Sequence, residues 1–234
     1  MTQKAIFWDF DGTLVKANCS FQESLRKACQ EDGILLQDAQ LSYMLKSVCS
    51  WYHPEISYET RTGEFWWKNL LNQLHVLLTD SDIPVDKIPC ILESFRNYAV
   101  SYSYGVDPQA RKLLLHAKSL GFQNYLLSNN FPELENTVIR LGLRDCFQDV
   151  FLSSVIGYEK PQMELFQEAI KLAGNPGLKV MVGDNPDADI RGGKAAGMIT
   201  VLVSGKAPCQ EADYACQDLS DLFAILEKLK TDQN

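Results

Sequence analysis

The chain has 234 residues, of which 46% are hydrophobic and 22% are charged, a composition that excludes a disordered protein and suits one large α/β domain or a main domain with a smaller insert. Its net charge of −8, with no basic run, argues against a nucleic-acid polymer as partner. The seven cysteines are scattered without a Cys-x-x-Cys pair and the first apolar run stops at Asp9, so we expect a cytoplasmic protein without structural zinc, a secretory signal or a membrane span.

The first predicted element is a short buried strand. Residues 5–8 form an apolar run that ends at Asp9, and an Asp-Gly turn signal follows at residues 11–12. From about residue 18 to residue 102 the apolar residues recur at helical spacing, and we find no convincing strand pattern among them. The sequence therefore predicts one strand followed by a helical insert that resembles a lid.

An alternating pattern of strands and helices begins after the insert. A helix is predicted to begin at Asp107-Pro108, a capping residue followed by proline, and to end at Gly121. Strands are then predicted at 123–128, 150–153, 179–183, 200–203 and near Tyr214, with helices at 132–141, 161–173, 186–196 and 219–229. Such alternation is typical of a mostly parallel sheet with helices on both faces. We predict an α/β core domain from residues 1–16 and 105–234, and an all-α cap domain from residues 17–104.

Two carboxylates follow the first predicted strand. Asp9 and Asp11 lie two residues apart, so their side chains project to the same side of an extended backbone, and Thr13 comes shortly after them. A lone Asp-Gly turn would most often be structural. Two like charges close together are unfavourable unless a cation or a proton lies between them, which makes this pair a candidate site.

Later strand ends carry further polar residues, and in open α/β sheets ligands bind beyond the carboxyl ends of the strands. Ser128 and Asn129 precede a predicted helix, where a hydroxyl group and backbone N–H groups can hold phosphoryl oxygens. Lys160, just before Pro161, offers a positive charge suited to a phosphate. Either feature alone would more often be an ordinary loop or surface residue.

The loop after the strand predicted at 179–183 contains three acidic residues, at positions 184, 187 and 189. A helix cap at Asn185 explains one acidic residue in the first turn of a helix, and not three. Hard oxygen ligands clustered on a loop suit Mg²⁺, which prefers carboxylates together with water and substrate oxygens. Asp184 is therefore predicted to be a metal ligand.

Together these motifs resemble the haloacid dehalogenase superfamily over nearly the whole chain. The matching residues are Asp9-x-Asp11-Gly12-Thr13, Ser128, Lys160-Pro161, and Gly183-Asp184 followed by Asp189. The helical insert is similar to the first cap type of that family. The resemblance implies a Rossmann-like core and the phosphatase branch, similar to phosphoglycolate phosphatases and nucleotidases. The dehalogenases of the superfamily lack the second carboxylate, so Asp11 disfavours dehalogenation.

The resemblance also implies a role for each matching residue. Asp9 is the expected nucleophile, and Asp11 is the expected general acid and then general base. The other expected roles are phosphate binding by Ser128, Asn129 and Lys160, Mg²⁺ binding by Asp9, Asp11 through its carbonyl oxygen, and Asp184, and support from Thr13 and Asp189. Mg²⁺ is thus the expected cofactor.

The predicted function is Mg²⁺-dependent hydrolysis of a small phosphorylated metabolite through an aspartyl-phosphate intermediate. A sugar phosphate, phosphoglycolate or a nucleoside monophosphate would fit. A phosphomutase of the phosphoglucomutase-like branch needs the same core residues, and a catalytically silent binding protein would keep the same fold, so both alternatives stay open. The expected partner is a small phosphoester rather than a nucleic acid or a membrane, and the expected state is a monomer or a homodimer.

Several residues of the cap are candidates for contact with the non-reacting part of the substrate: Arg61, Trp66, Trp67, Lys68 and His75. Helical spacing makes the two tryptophans more often core residues than ligands. The three histidines, His53, His75 and His116, lie near none of the motifs in the sequence, so no catalytic role is predicted for them.

Overall fold

The fold is built around a six-stranded parallel sheet, in a computed structural model that describes residues 3–58, 60–203 and 211–231. The strands are β1 (Lys4–Trp8), β2 (Val15–Ala17), β3 (Tyr104–Val106), β4 (Phe122–Ser128), β5 (Asp149–Leu152), β6 (Leu178–Gly183), β7 (Ile199–Val203) and β8 (Tyr214–Cys216). The sheet has the order β5-β4-β1-β6-β7-β8, and all its neighbouring strands are parallel. The predicted Rossmann-like α/β fold with a cap is confirmed.

Helices surround this sheet and fill the insert. They are α1 (Phe21–Glu31), α2 (Asp38–Val48), α3 (Glu64–Thr79), α4 (Ile88–Ser101), α5 (Ala110–Ser119), α6 (Leu134–Arg140), α7 (Ser153–Ile156), α8 (Met163–Leu172), α9 (Gly192–Ala195) and α10 (Leu222–Thr231). Two 3-10 turns, Ser50–Tyr52 and Arg144–Cys146, and a π-helical turn, Pro186–Arg191, connect them. Among the described helices, none is long and apolar enough to cross a membrane.

Strand β1 lies at the centre of the sheet and is buried on both faces. Ala5 and Phe7 belong to one hydrophobic cluster together with α8, whereas Ile6 and Trp8 belong to another together with α5 and α10. A strand that is covered on both faces requires apolar side chains at consecutive positions, which explains the uninterrupted apolar run in the sequence. This burial fixes the carboxyl end of β1, where Asp9 follows.

The predicted core elements match the observed ones to within a few residues, with one difference in type. The helix predicted at 186–196 is divided into the π-helical turn Pro186–Arg191 and the short helix α9. The side chain of Asn185 caps the turn, because its Oδ1 accepts hydrogen bonds from the backbone N–H groups of Asp187 and Ala188. Asp189, within the turn, is almost completely buried.

The insert consists of helices α1 to α4, which pack on one another. Helix α1 packs against α4, and α3 packs against both α2 and α4. The apolar stripe of α1, Leu25 and Ala28, and that of α3, Leu70 and Leu74, are buried as helical spacing predicts. The described residues between 18 and 103 contain no strand. The predicted limits of the two domains stay a prediction.

The chain enters and leaves the insert through a two-stranded antiparallel ribbon of β2 and β3, which the sequence did not predict. Lys16 lies opposite Gly105, and Ala17 lies opposite Tyr104. A strand of three residues is too short to show an alternating pattern, so hydrophobic periodicity carries no signal for it. The ribbon holds the two ends of the insert side by side.

Candidate active site

Neighbouring strands end at the same edge of the sheet, and most of the predicted site residues lie there. β1 leads into Asp9, β4 ends at Ser128, and β6 leads into the loop that holds Asp184. Because these strands are adjacent and parallel, their carboxyl ends meet. A cavity of about 420 Å³ opens at this edge, lined by Asp9, Asp11, Phe21, Trp51, Tyr52, Tyr102, Ser128, Asn129, Asn130, Lys160, Asp184, Asn185, Ala188 and Asp189. All the predicted site residues except Thr13 therefore share one cavity.

Asp9 is only 6% exposed, and three hydrogen bonds hold it in place. Its backbone N–H donates to the carbonyl oxygen of Val182 at 2.9 Å. Its Oδ1 accepts a hydrogen bond from Lys160 Nζ at 2.7 Å, and its Oδ2 accepts one from Thr13 Oγ1 at 3.1 Å. Thr13 thus lies against Asp9 without lining the cavity, and the Asp9 carboxylate faces the cavity in a fixed orientation.

Lys160 is buried between two carboxylates. Besides Asp9, its Nζ donates to Asp189 Oδ1 at 2.6 Å and to the carbonyl oxygen of Leu127 at 3.1 Å. Burial acts to lower the pKa of Lys160, but the charges of Asp189 and Asp9 outweigh it and raise that pKa above its ordinary value. The ammonium group therefore stays charged and provides a fixed positive charge at the base of the cavity.

Asp189 is oriented by a second contact in addition to its ion pair. Its Oδ2 accepts a hydrogen bond from the backbone N–H of Asn185 at 3.0 Å. Burial raises the pKa of Asp189, and the ion pair with Lys160 opposes that rise. Both carboxylate oxygens of Asp189 are thus engaged by the protein, and the residue holds Lys160 in position.

Asp11 has only one of its two carboxyl oxygens hydrogen-bonded among the described residues. Its Oδ2 accepts a hydrogen bond from Asn130 Nδ2 at 2.6 Å, whereas its buried Oδ1 has no hydrogen-bond partner among the described residues. Burial, followed by the nearby charge of Asp9, raises the pKa of Asp11 to about 7. A carboxyl group with such a pKa can carry a proton at neutral pH and give it up again.

Sequence reasoning did not assign a role to Asn130, which the structure shows as the hydrogen-bond donor to Asp11. Asn130 is 5% exposed, and its Oδ1 accepts a hydrogen bond from the backbone N–H of Phe131 at 3.1 Å. This residue lies two positions after Ser128. In extended backbone that spacing places two side chains on the same side, which is a signal that the sequence did contain.

Ser128 and Asn129 lie at the end of β4 on different sides of the backbone. The Ser128 hydroxyl group lines the cavity and is 3.5 Å from Asn130 Nδ2. The side chain of Asn129 accepts from the backbone N–H of Lys160 at 2.7 Å and donates to the Lys160 carbonyl oxygen at 3.0 Å. The side-chain amide group of Asn129 is thus engaged by the backbone of Lys160, and the predicted phosphate binding by Asn129 stays a prediction.

A group of three carboxylates could hold a metal ion. One oxygen atom from each of Asp9, Asp184 and Asp189 lies within 4.8 Å of the others. Asp184 approaches the loop after β1 so closely that a Cβ atom at Gly12 would lie 2.3 Å from its Oδ2. Gly12 also has a φ of +86°, which disfavours other residues. Hard oxygen donors of this kind fit Mg²⁺.

The cap residues at the cavity are not those that the sequence suggested. None of the five candidates, Arg61, Trp66, Trp67, Lys68 and His75, lines the cavity. Trp66 and Trp67 are buried, and the indole N–H of Trp67 donates to Glu133 Oε2 at 2.7 Å. The two tryptophans are therefore core residues of the cap, which was the more common alternative. Trp51 and Tyr52 contribute to the cavity instead.

Comparison with known proteins relates the whole chain to one family. The family model described as haloacid dehalogenase-like hydrolase matches residues 3–197. The mouse protein named haloacid dehalogenase-like hydrolase domain-containing protein 3 is 24% identical, over 98% of this chain and 96% of its own length. A glyceraldehyde 3-phosphate phosphatase of Methanothermobacter thermautotrophicus is 28% identical, over 95% of each chain.

Solved structures show the same fold. A 2-haloacid dehalogenase from Pseudomonas syringae superposes with a TM-score of 0.72 and 22% identity, covering 97% of this chain and 99% of its own. The HAD-hydrolase YfnB of Bacillus subtilis gives a TM-score of 0.70 with 20% identity, covering 97% of this chain and 100% of its own. The predicted family is confirmed, and the phosphatase names among the relatives support the predicted phosphoric monoester hydrolase. The chain belongs to the haloacid dehalogenase-like hydrolases.

Proposed function

We propose that the chain is a Mg²⁺-dependent phosphatase that hydrolyses a small phosphorylated metabolite through an aspartyl-phosphate on Asp9. The observation that carries the proposal is the pairing, in one cavity, of an oriented carboxylate at Asp9 with a carboxyl group of raised pKa at Asp11. A sugar phosphate, phosphoglycolate or a nucleoside monophosphate is the proposed type of substrate. The relatives named glyceraldehyde 3-phosphate phosphatase and phosphoserine phosphatase support phosphatase chemistry.

In the first step, Asp9 is the nucleophile. One of its carboxylate oxygens forms a bond to phosphorus, and the bond between phosphorus and the leaving oxygen breaks. The electron pair stays on the leaving oxygen, which takes the proton of Asp11 and departs as an alcohol. The pKa of Asp11, raised to about 7, suits this transfer because the group still carries a proton near neutral pH.

In the second step, Asp11 acts as a base. It takes a proton from a water molecule, the water oxygen forms a bond to phosphorus, and the bond between phosphorus and Asp9 breaks. Asp9 returns to a carboxylate and inorganic phosphate is released. The hydrogen bond from Asn130 supports both steps, because it keeps the Asp11 side chain in one orientation.

The charge of the phosphoryl group is proposed to be balanced by the base of the cavity. Lys160 offers its ammonium group, and Ser128 and the backbone N–H of Asn129 offer hydrogen-bond donors. Asp189 holds Lys160, and Thr13 holds Asp9, at the distances given above. These two residues therefore act on orientation rather than on the substrate.

The proposed ligands of Mg²⁺ are the carboxylates of Asp9 and Asp184 and the backbone carbonyl oxygen of Asp11. Asp189 belongs to the same group of acids, but its oxygens are engaged by Lys160 and by the backbone of Asn185. Asp184 is proposed as the second carboxylate ligand because it closely approaches the loop after β1, where a Cβ atom at Gly12 would lie 2.3 Å from its Oδ2. When bound, Mg²⁺ would offset the negative charges of these carboxylates and of the phosphoryl group.

The experiment that tests the proposal is a phosphoester screen with purified protein and Mg²⁺, in which free phosphate and isomeric products are both measured. We expect release of phosphate from at least one of the three proposed types of substrate. An isomeric product without free phosphate would replace the proposal by a phosphomutase. Absence of either product over the whole panel would point to the catalytically silent binding protein.

A further inference from the structure

The side of the cavity that faces the core carries charge, whereas the side formed by the cap is aromatic. Phe21, Trp51, Tyr52 and Tyr102 line the cavity from the cap, and we call these four residues the aromatic wall. The rings of Phe21 and Trp51 are 5.0 Å apart between centroids and nearly perpendicular. Trp51 and Tyr52 follow with ring centroids 6.3 Å apart. Phe21, Trp51 and Tyr52 therefore form a row of neighbouring rings. The ring of Tyr102 packs against Tyr104, with centroids 5.0 Å apart.

A second space of about 300 Å³ also lies against the aromatic wall, within the cap. This space is lined by Ala17, Cys19, Ser20, Phe21, Gln22, Ser42, Leu45, Cys49, Trp51, Tyr52 and Tyr102. All four residues of the aromatic wall belong to both spaces. A group attached to a phosphate at Asp9 would extend toward this wall and the space behind it.

Charge is distributed unevenly between the two spaces. Among the described lining residues, the second space has no charged side chain, and the first has Lys160 as its one cation. Lys160 is already paired with Asp9 and Asp189. A carboxylate on the leaving group would lose water without gaining a cation, which is unfavourable. The described residues thus favour an uncharged leaving group.

The aromatic wall is tied to the catalytic side of the cavity. Ser50 begins the 3-10 turn that contains Trp51 and Tyr52, and its Oγ donates to Glu159 Oε1 at 2.5 Å. Glu159 is fully buried and directly precedes Lys160 in the chain. The backbone N–H of Gly63 in the cap also donates to the carbonyl oxygen of Ser154 at 2.8 Å. These contacts place the turn of the aromatic wall at a set position relative to Lys160.

We propose that the aromatic wall is the subsite for the leaving group, and that it selects phosphate monoesters whose leaving alcohol is uncharged and carries a flat ring. The inference rests on the proposed phosphatase function and narrows its substrates, because it favours nucleoside monophosphates and arylmethyl phosphates over phosphoglycolate. Flat rings stack on aromatic side chains whatever their identity, and the polar Ser42 and Gln22 behind the wall can bond neutral oxygen or nitrogen atoms.

Binding can be measured without turnover in the Asp9→Asn variant with Mg²⁺ present, by calorimetry. We expect benzyl phosphate and a nucleoside 5′-monophosphate to bind about tenfold more tightly than glycerol 1-phosphate, whose leaving alcohol is uncharged but has no ring. We expect phosphoglycolate, whose leaving group carries a carboxylate, to bind more weakly still. If the nucleotide binds more tightly than benzyl phosphate, the favoured leaving group is a nucleoside. If benzyl phosphate binds more tightly, the favoured leaving group is a simple arylmethyl alcohol. Equal or tighter binding of phosphoglycolate would overturn the inference.

The contribution of the wall itself can be tested with Tyr52→Leu in the otherwise unaltered enzyme. Tyr52 is 50% exposed, so its replacement leaves the core intact. The matched control is Tyr43→Leu on helix α2, a tyrosine that is 63% exposed and lies away from both spaces. We expect Tyr52→Leu to lower kcat/KM about threefold to tenfold for benzyl phosphate, mainly through KM, and to lower it by a clearly smaller factor for glycerol 1-phosphate.

The two proposals fail in different ways. An equal loss for both substrates in Tyr52→Leu, or the same loss in Tyr43→Leu, would overturn the role of the aromatic wall while hydrolysis itself stands. If ring-bearing phosphates bind preferentially to Asp9→Asn but the unaltered protein releases no phosphate from them, the proposed hydrolysis is overturned and the binding preference stands. Each outcome is read from a separate measurement.

Discussion

The two walls of the cavity are built on different principles. On the core side, Asp9, Lys160 and Asp189 are each less than 7% exposed and are joined at 2.6 to 2.7 Å. On the cap side, Trp51 and Tyr52 are partly exposed and contribute ring surface instead of charge. Buried charges tolerate little displacement, because each depends on its partner, whereas stacking depends on shape and area. Under the two proposals above, the core side carries out the reaction and the cap side selects the substrate.

The largest expected effect comes from the core wall. Asp9→Asn should lower kcat by more than about a thousandfold, because an amide of nearly the same shape is a poor nucleophile. Phosphate release under saturating substrate measures the loss, and thermal unfolding checks that the fold is kept. The control is Asp149→Asn at the start of β5, an exposed aspartate outside the cavity. Turnover surviving in Asp9→Asn would reject the mechanism.

The second prediction concerns the metal. A chelator should abolish hydrolysis and added Mg²⁺ should restore it, and Asp184→Asn should raise the Mg²⁺ concentration for half-maximal activity by at least about tenfold. The matched control is Asp187→Asn, because Asp187 lies on the same loop but is exposed and paired with Arg191. Equal Mg²⁺ dependence in the two variants would contradict the assignment of Asp184.

The third prediction concerns the support of Asp11. Asn130→Ala removes the 2.6 Å hydrogen bond to Asp11 Oδ2, so the acid loses its fixed orientation. We expect kcat to fall about tenfold with little change in KM, since the lost contact acts on proton transfer rather than on binding. Steady-state kinetics separate the two constants. A rise in KM at unchanged kcat would show that Asn130 binds substrate instead.

The smallest expected effect lies at the contact between the two walls. Burial raises the pKa of Glu159 above its ordinary value of about 4.5, so the folded protein binds this proton more tightly than the unfolded chain does. The free energy of unfolding should therefore fall as the pH rises above about 4.5, by at most about 1.4 kcal/mol per pH unit. In Glu159→Gln this contribution is absent, and the decline should be shallower.

Urea unfolding at several pH values measures that slope, with Glu93→Gln as the control because Glu93 is exposed on helix α4. Parallel slopes in the Glu159→Gln variant and the unaltered protein would show that Glu159 titrates alike in the folded and unfolded states. That result would contradict the expectation that burial beside the turn of the aromatic wall raises the pKa of Glu159.

The core side of the site could be predicted because its residues follow strands with a clear signal. The apolar run before Asp9 is unbroken since β1 is covered on both faces, and the strand that ends at Ser128 is seven residues long. Once parallel strands are placed side by side, their carboxyl ends must meet. A residue that directly follows a core strand in the sequence therefore lies at this edge of the sheet, and Asp9 and Asp184 come together there as the sequence predicts.

The cap side could not be predicted in the same way. Helical spacing shows which face of α3 is apolar, and that face, with Trp66 and Trp67, is buried inside the cap. Trp51 lies in a 3-10 turn of three residues, which is too short for any periodicity. Its partnership with the core depends on Ser50 and Glu159, which are 109 residues apart in the chain. Such a contact is visible only in three dimensions.

The short ribbon at the base of the cap has a consequence for how this protein can change. Val15 and Val106 lie directly opposite each other in β2 and β3, so the path of the core is continuous without the residues between them. The insert starts and finishes at adjacent positions, so it closes a loop on the core. The entropic cost of closing such a loop grows only slowly with the length of the insert. If the cap selects the substrate as proposed, an exchange of the insert at this ribbon for that of a relative should leave the core fold intact and change which phosphoester is hydrolysed.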